Sequence, residues 1–301
     1  MLLALSLLTP FIFTFCKSAE KSRPVAWPSN FDWQGHRGCR GLMPENSIPA
    51  FVRAVDFQEV TTLELDVAVS KDRQLIVSHE PWFNAAICTL PGGDSIPKRD
   101  EEKYLIFERT VAEIRAFDCG SRGNERFAGQ QKMATHKPTL RETVEAVRAT
   151  SRGKSMRWNI EIKSRPDWDG LRTPQVEEFA QLLLDEMRTL GIEKQATVQS
   201  FDVRALQAVK KLNPQIRLAY LVEPQLFGLD LDFEKLGFLP DIFSPYYLFV
   251  NKKVVRRCHK RGVQVIPWTV NDVAAMRRLI RLGVDGIITD YPDKIREVAG
   301  R

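Results

Sequence analysis

Thr62-Leu-Glu-Leu-Asp-Val-Ala-Val-Ser70 is the stretch whose reading decides the fold. Successive side chains of a strand point to opposite faces, so Glu64 and Asp66 share one side and Leu65 takes the other. Asn159-Ile-Glu-Ile-Lys163 repeats the arrangement, with Glu161 and Lys163 on one face and Ile162 behind them. Charged groups on one face and apolar residues turned toward helices suit the strand ends of a parallel barrel. Working outward, strand candidates lie at residues 32–36, 62–70, 158–163, 196–200, 216–222, 241–244, 263–269 and 286–289. Between most of them run segments with three-and-four apolar spacing, at 174–190, 203–212, 252–260 and 272–282. Gly191, Gly262 and Gly283 supply helix stops. The alternation predicts an α/β chain folded as a (β/α)8 TIM barrel. An open doubly wound sheet is the runner-up, disfavoured because no glycine-rich phosphate turn follows the first strand.

The alternation breaks once. Residues 81–137, after the second strand and its hairpin, contain Pro91-Gly92-Gly93, scattered charge and little periodicity. A stretch this long reads as a small insertion with a functional or subdomain role. At the N-terminus, residues 1–16 are apolar and uncharged, too short for a spanning helix and suited to a signal segment. Cleavage after Cys16, lipidation of Cys16 and a buried N-terminal helix remain open. Residues 17–30 read as a linker and 31–301 as the catalytic domain. The expectation is an exported protein, periplasmic, secreted or held at a membrane through its N-terminus. Cys39, Cys88, Cys119 and Cys258 permit three pairings, of which Cys88–Cys119 would fall inside the insertion. Cys258, on an amphipathic segment, reads as a buried free thiol. The net charge of +6 is spread along the chain, with no basic block or zinc-finger spacing. A nucleic-acid partner is therefore not expected, and no protein partner is implied.

The chemistry-bearing residues begin at His36-Arg37-Gly38, which ends the first strand candidate. An imidazole titrates near neutrality and a guanidinium holds phosphate oxygens bidentately. His79 follows the hairpin Ser70-Lys-Asp-Arg73 and returns a second imidazole to the same barrel end. Two histidines can divide the proton removal and proton donation that phosphodiester cleavage requires, each worth typically 10²–10⁴-fold. Glu64, Asp66 and Glu161 on neighbouring strands are costly to bury without a cation. Their all-oxygen donor set points to one divalent ion, Ca²⁺ or Mg²⁺. Arg37 and Lys163 would stabilise phosphoryl oxygens, and Glu45 would bond a catalytic histidine or reach the metal. Trp268 would wall the substrate pocket. His136 and His259 read as surface residues.

In that order, His36-Arg37-Gly38, Pro44-Glu45-Asn46-Ser47 and Glu64-Leu65-Asp66 resemble the opening motifs of the glycerophosphodiester phosphodiesterase family. The resemblance continues through Pro138-Thr-Leu140, Gln199-Ser-Phe201, Trp268-Thr-Val-Asn271 and Gly286-Ile-Ile-Thr-Asp290. It implies a TIM barrel with an insertion, catalytic histidines at His36 and His79, and metal carboxylates at Glu64, Asp66 and Glu161. It also implies metal-dependent release of sn-glycerol 3-phosphate and an alcohol from small glycerophosphodiesters. Two departures stand out: Asp72-Arg73 where the family has Asp-Gly, and His79-Glu80 where it has His-Asp. Phospholipase D-like cleavage of lysophospholipids is the nearest alternative, with Trp82, Phe83 and Phe249 widening an apolar mouth. A binding protein on a barrel that has lost its activity is the alternative outside enzymes.

Overall fold

The computed structural model describes residues 23–223 and 233–300. Residues 1–22, which carry the signal-segment and Cys16 readings, lie outside them. Among the described residues nine strands form one sheet in the order β8-β7-β6-β5-β4-β2-β1-β9, with β3 paired to β2 off this path. The strands are β1 (Asp32–Gly35), β2 (Thr62–Val69), β3 (Leu75–Val77), β4 (Arg157–Ile162) and β5 (Ala196–Ser200). They continue with β6 (Arg217–Val222), β7 (Ile242–Pro245), β8 (Gln264–Val265) and β9 (Gly286–Thr289). All pairings except β2–β3 are parallel. The end strands meet through backbone bonds: Asp285 N–H to Val265 O at 2.9 Å, Ile288 N–H to Pro267 O at 3.1 Å, and Val270 N–H to Ile288 O at 2.9 Å. Eight parallel strands thus come round into a nearly closed barrel.

The expected strand at 263–269 is regular only over Gln264–Val265. Pro267 has no N–H to give a ladder, so the chain follows β7 through Ile266 and Trp268 instead. Between strands run α1 (Ile48–Val55), α2 (Val111–Ile114), α3 (Leu140–Arg148), α4 (Val176–Leu190), α5 (Val203–Leu212), α6 (Lys252–His259), α7 (Val273–Leu282) and α8 (Ile295–Val298). Their apolar faces pack on the outward strand residues, Leu63 and Leu65 among them, in one core that rings the barrel. Gly191 and Gly283 end α4 and α7 in the left-handed conformation that glycine adopts without strain. Thr139 and Glu142 close a capping box on α3 just past the insertion.

The insertion builds its own core. Phe83 stacks on Phe117 at 3.7 Å, and Ile87, Ile96, Ile106 and Ile114 pack around them and onto Ala68 and Ile76 of the β2–β3 hairpin. Cys88 and Cys119 are joined by a disulfide across that core, whereas Cys39 and Cys258 are buried free thiols. Phe83 is therefore sealed inside the insertion, and it does not widen an apolar mouth. Phe249 packs against Tyr246. Among the described residues no helix is long and apolar enough to cross a membrane.

Candidate active site

Parallel register sets the site. Glu64 of β2 lies opposite Asn159 of β4, and Asp66 opposite Glu161, so three carboxylates share the barrel's inner face. One oxygen from each of Glu64, Asp66 and Glu161 falls within a 4.8 Å cluster, and all three residues are buried. Two like charges at that distance repel by about 3–4 kcal/mol at an effective dielectric near 20. Burial, then Asp66 and Glu161, push the Glu64 carboxyl well above its usual range. Burial likewise raises Glu161 to about 7 against the pull of Lys163. Asp66 goes the other way: burial works against its charge, but Arg37, His79 and Lys163 hold it well below the usual range.

Neighbours fix each carboxylate. Glu64 accepts from the Arg37 backbone N–H at 2.9 Å and from Gln199 Nε2 at 2.7 Å. Gln199 is held by Asn159 at 2.9 Å, which also reaches Gln34 at 2.7 Å, making an amide layer beneath the triad. Asp66 accepts from Asn46 Nδ2 at 2.8 Å. Lys163 sits 2.8 Å from Glu161 and 3.6 Å from Asp66.

The loop after β1 is bent tightly to achieve this. Arg37 and Asn46 both have positive φ, and a Cβ on Gly38 would lie 2.6 Å from the Ala50 carbonyl carbon, so only glycine fits there. The bend aims the Arg37 N–H at Glu64 and brings Asn46 to Asp66.

His36 follows β1 and is held on two sides. Its Nδ1 lies 2.6 Å from Asp290 Oδ1, and its Nε2 3.8 Å from Glu64 Oε2. Asp290 is itself gripped by Arg40 at 2.9 and 3.1 Å and by Asn271 at 2.7 Å. Burial and the Arg40 charge pull the His36 imidazole down to about 4, with Asp290 opposing. Burial works against the charge on Asp290 too, but His36 and Arg40 hold it well below the carboxylate range. Among the described residues His79 is anchored by Glu80 alone, at 2.8 Å from Nδ1. Burial, then Arg37 and Lys163, lower its pKa as well.

Two expectations change. Glu45 touches neither histidine: it lies 2.5 Å from Arg37 Nη1 and 3.9 Å from Arg40. Arg37 is committed in turn, its Nε being 3.2 Å from Asp66, so this guanidinium chiefly braces carboxylates. The missing glycine of the hairpin leaves Arg73 itself at φ 58°. Its guanidinium sits 4.9 Å over the Phe107 ring and 2.7 Å from Glu178, contacts that offset the strain. Asp290 and Asn46 are the functional residues the sequence reading passed over. Each stands inside a quoted motif, but only the fold brings it to its partner. His259, half-exposed, pairs with Asp285 at 2.8 Å, and His136 joins no site cluster.

The arrangement fits a divalent cation. Three cations, Arg37, Arg40 and Lys163, stand among the five carboxylates Glu45, Glu64, Asp66, Glu161 and Asp290, an excess of two negative charges when all are ionised. Asp66 Oδ1 is buried without a hydrogen-bond partner. Hard oxygen donors and an orphaned carboxylate oxygen are what a Ca²⁺- or Mg²⁺-type ion needs. His36, Glu64, His79, Glu161 and Trp268 all line one cavity of about 550 Å³ at the C-terminal end of the strands.

The glycerophosphoryl diester phosphodiesterase family model matches residues 36–294. The glycerophosphodiester phosphodiesterase of Caldanaerobacter subterraneus subsp. tengcongensis is 31% identical over 265 residues, covering 86% of this chain and 94% of that protein. Lysophospholipase D GDPD1 of Homo sapiens is 26% identical over 278 residues, covering 87% of this chain and 84% of its own length. A solved structure from Silicibacter pomeroyi DSS-3, assigned to the same family, is similar with a TM-score of 0.80 at 28% identity, covering 93% of this chain and 96% of that one.

Proposed function

The chain belongs to the glycerophosphoryl diester phosphodiesterase family, and from that membership and the site geometry we propose that it hydrolyses glycerophosphodiesters to sn-glycerol 3-phosphate and an alcohol. The observation that carries the reading is convergence: His36 after β1, His79 after β3, and Glu64 and Glu161 of the acidic triad on β2 and β4 line one cavity, with Asp66 clustered beside the two carboxylates.

The proposed mechanism divides the proton work. Each histidine has Nδ1 engaged by a carboxylate, which leaves Nε2 for the substrate. One removes the proton of the attacking oxygen and the other returns one to the departing alkoxide. Asp290 and Glu80 orient the rings and stabilise their protonated forms. Glu64, Asp66 and Glu161 would hold a divalent ion, which when bound supplies positive charge for the phosphoryl oxygens. Arg37 keeps Asp66 ionised and Glu45 in place.

Export belongs to the same proposal, supported by the apolar residues 1–16 and by a disulfide of the kind that persists in oxidising compartments. The test is glycerol 3-phosphate release from glycerophosphocholine by residues 17–301, after EDTA and again with Ca²⁺ or Mg²⁺ restored. Release that disappears with EDTA and returns with one ion supports the reading and names the ion. Folded protein that releases nothing under either ion refutes it.

A further inference from the structure

The cavity described above is one arm of a longer cleft. A second cavity of about 880 Å³ shares His79, Glu161, Phe201, Leu221 and Trp268 with it. The shared residues form a waist, where Phe201 meets Trp268 edge-on at 5.3 Å. The two arms differ in chemistry. On the His36 side the walls include Arg126, Thr269, Asn271 and Asp272. Arg126 comes from the insertion, and Gln130, a turn later, ties that loop to the Arg40 and Met43 carbonyls at 2.7 and 3.0 Å. Unlike Arg37 and Arg40, Arg126 has no carboxylate partner among the described residues, so it is available to hydroxyl or phosphate oxygens. On the far side Trp82, Trp168, Tyr220 and Val222 line the wall alongside Ser164, Arg165 and Asp202. Trp82 and Trp168 meet edge-to-face at 5.8 Å.

A diester carries two alcohols on one phosphorus, and the cleft offers two unlike arms across the catalytic groups. We propose, resting on the hydrolase reading above, that the aromatic arm is the subsite for the departing alcohol and favours alcohols with an uncharged hydrocarbon or aryl body. The glycerol phosphate half then lies in the polar arm.

Aromatic walls also suit quaternary ammonium groups, but the charges here argue against one. Arg165 already lies 5.2 Å over Trp168, Arg172 5.3 Å over Trp82, and Lys163 5.9 Å over Phe201. Glu161 is bonded to Lys163 and Asp202 to Arg204 and Ser164, while Glu80 holds His79. Glu223 stands exposed at the rim. Among the described residues a cationic alcohol would meet Lys163 and Arg165 in this arm, while Glu161, Asp202 and Glu80 are already turned to Lys163, Arg204 and His79. A hydrocarbon chain would gain from each methylene removed from water.

The experiment compares the methyl, octyl and choline diesters of sn-glycerol 3-phosphate, with kcat/KM measured for wild type, Trp82→Ala, Trp168→Ala and the conservative Trp168→Phe. The expected result is an octyl preference over choline of about tenfold or more in wild type. The octyl-to-methyl ratio should fall by a similar factor in both alanine variants and largely recover in Trp168→Phe. An unchanged ratio in both alanine variants, or a choline preference in wild type, overturns the proposal. A lysophospholipid turned over faster than the octyl diester also overturns it, since the hydrocarbon would then sit on the glycerol side. Calorimetric binding of octyl phosphate against methyl phosphate to His36→Ala separates the subsite from the reaction. If no diester is hydrolysed, yet octyl phosphate binds more tightly and adding Trp168→Ala removes the difference, the subsite stands and the hydrolase reading fails. Equal binding of the two phosphates refutes the subsite.

Discussion

His36 and His79 face one cavity from two very different settings. The His36 side chain is 11% exposed at a strand end, and its partner Asp290 is pinned by Arg40 and Asn271. His79 is 31% exposed beyond a hairpin, and among the described residues Glu80, next to it in sequence, is the one side chain that bonds its ring. The barrel end fixes its imidazole through residues more than two hundred positions apart. The hairpin fixes its own through neighbours and through the insertion packed against it. Orientation of a general acid or base is therefore over-determined at one histidine and lightly determined at the other.

The largest expected difference is in catalysis. Asp290→Asn removes the charge that orients His36 and should lower kcat by about 10²–10³-fold. Glu80→Gln at the more open histidine should cost about tenfold. Equal losses, in steady-state kinetics on glycerophosphocholine, would remove the distinction between the two settings. The hairpin side should depend more on its insertion. Replacing Cys88 and Cys119 by serine should cost roughly 2–4 kcal/mol of stability. Hydrogen exchange should show the loss of protection concentrated in residues 81–137, and uniform loss would show that the insertion and barrel open together.

The next effect sharpens the electrostatics of the barrel end. With Glu161 raised to about 7, a divalent ion must displace a proton to bind. Affinity should be greatest above that pH and fall as pH drops through it, by up to about tenfold per unit for each proton displaced. Calorimetry in two buffers of different ionisation heat would detect the released proton, and affinity flat from pH 8 to 6 would contradict the shift. The smallest effect is in the hairpin turn. Arg73→Gly relieves a left-handed residue worth roughly 1–2 kcal/mol but gives up the Phe107 and Glu178 contacts. The melting temperature should move by only a few degrees, and a large drop would show that the side-chain contacts dominate.

Much of this was legible in the chain because it is local. Period-two alternation in 62–70 and 158–163 put Glu64 with Asp66, and Glu161 with Lys163, on one face of their respective strands. Alternating strands and helices then required a parallel barrel, and right-handed crossovers send those faces to one end. The sequence could not say which long-range partner each polar group takes, because pairing energy depends on register between distant strands and on burial. Asp290 became the His36 partner only when β9 closed against β1. Glu45 turned to Arg37, and Arg37 to Asp66, because buried charges must be matched within a few ångströms and those were the groups the loop brought near. The chemistry of the site was carried by residue types at fixed spacing; the walls of its cleft arose only from tertiary packing, which set the insertion and the separate strand-end loops around it.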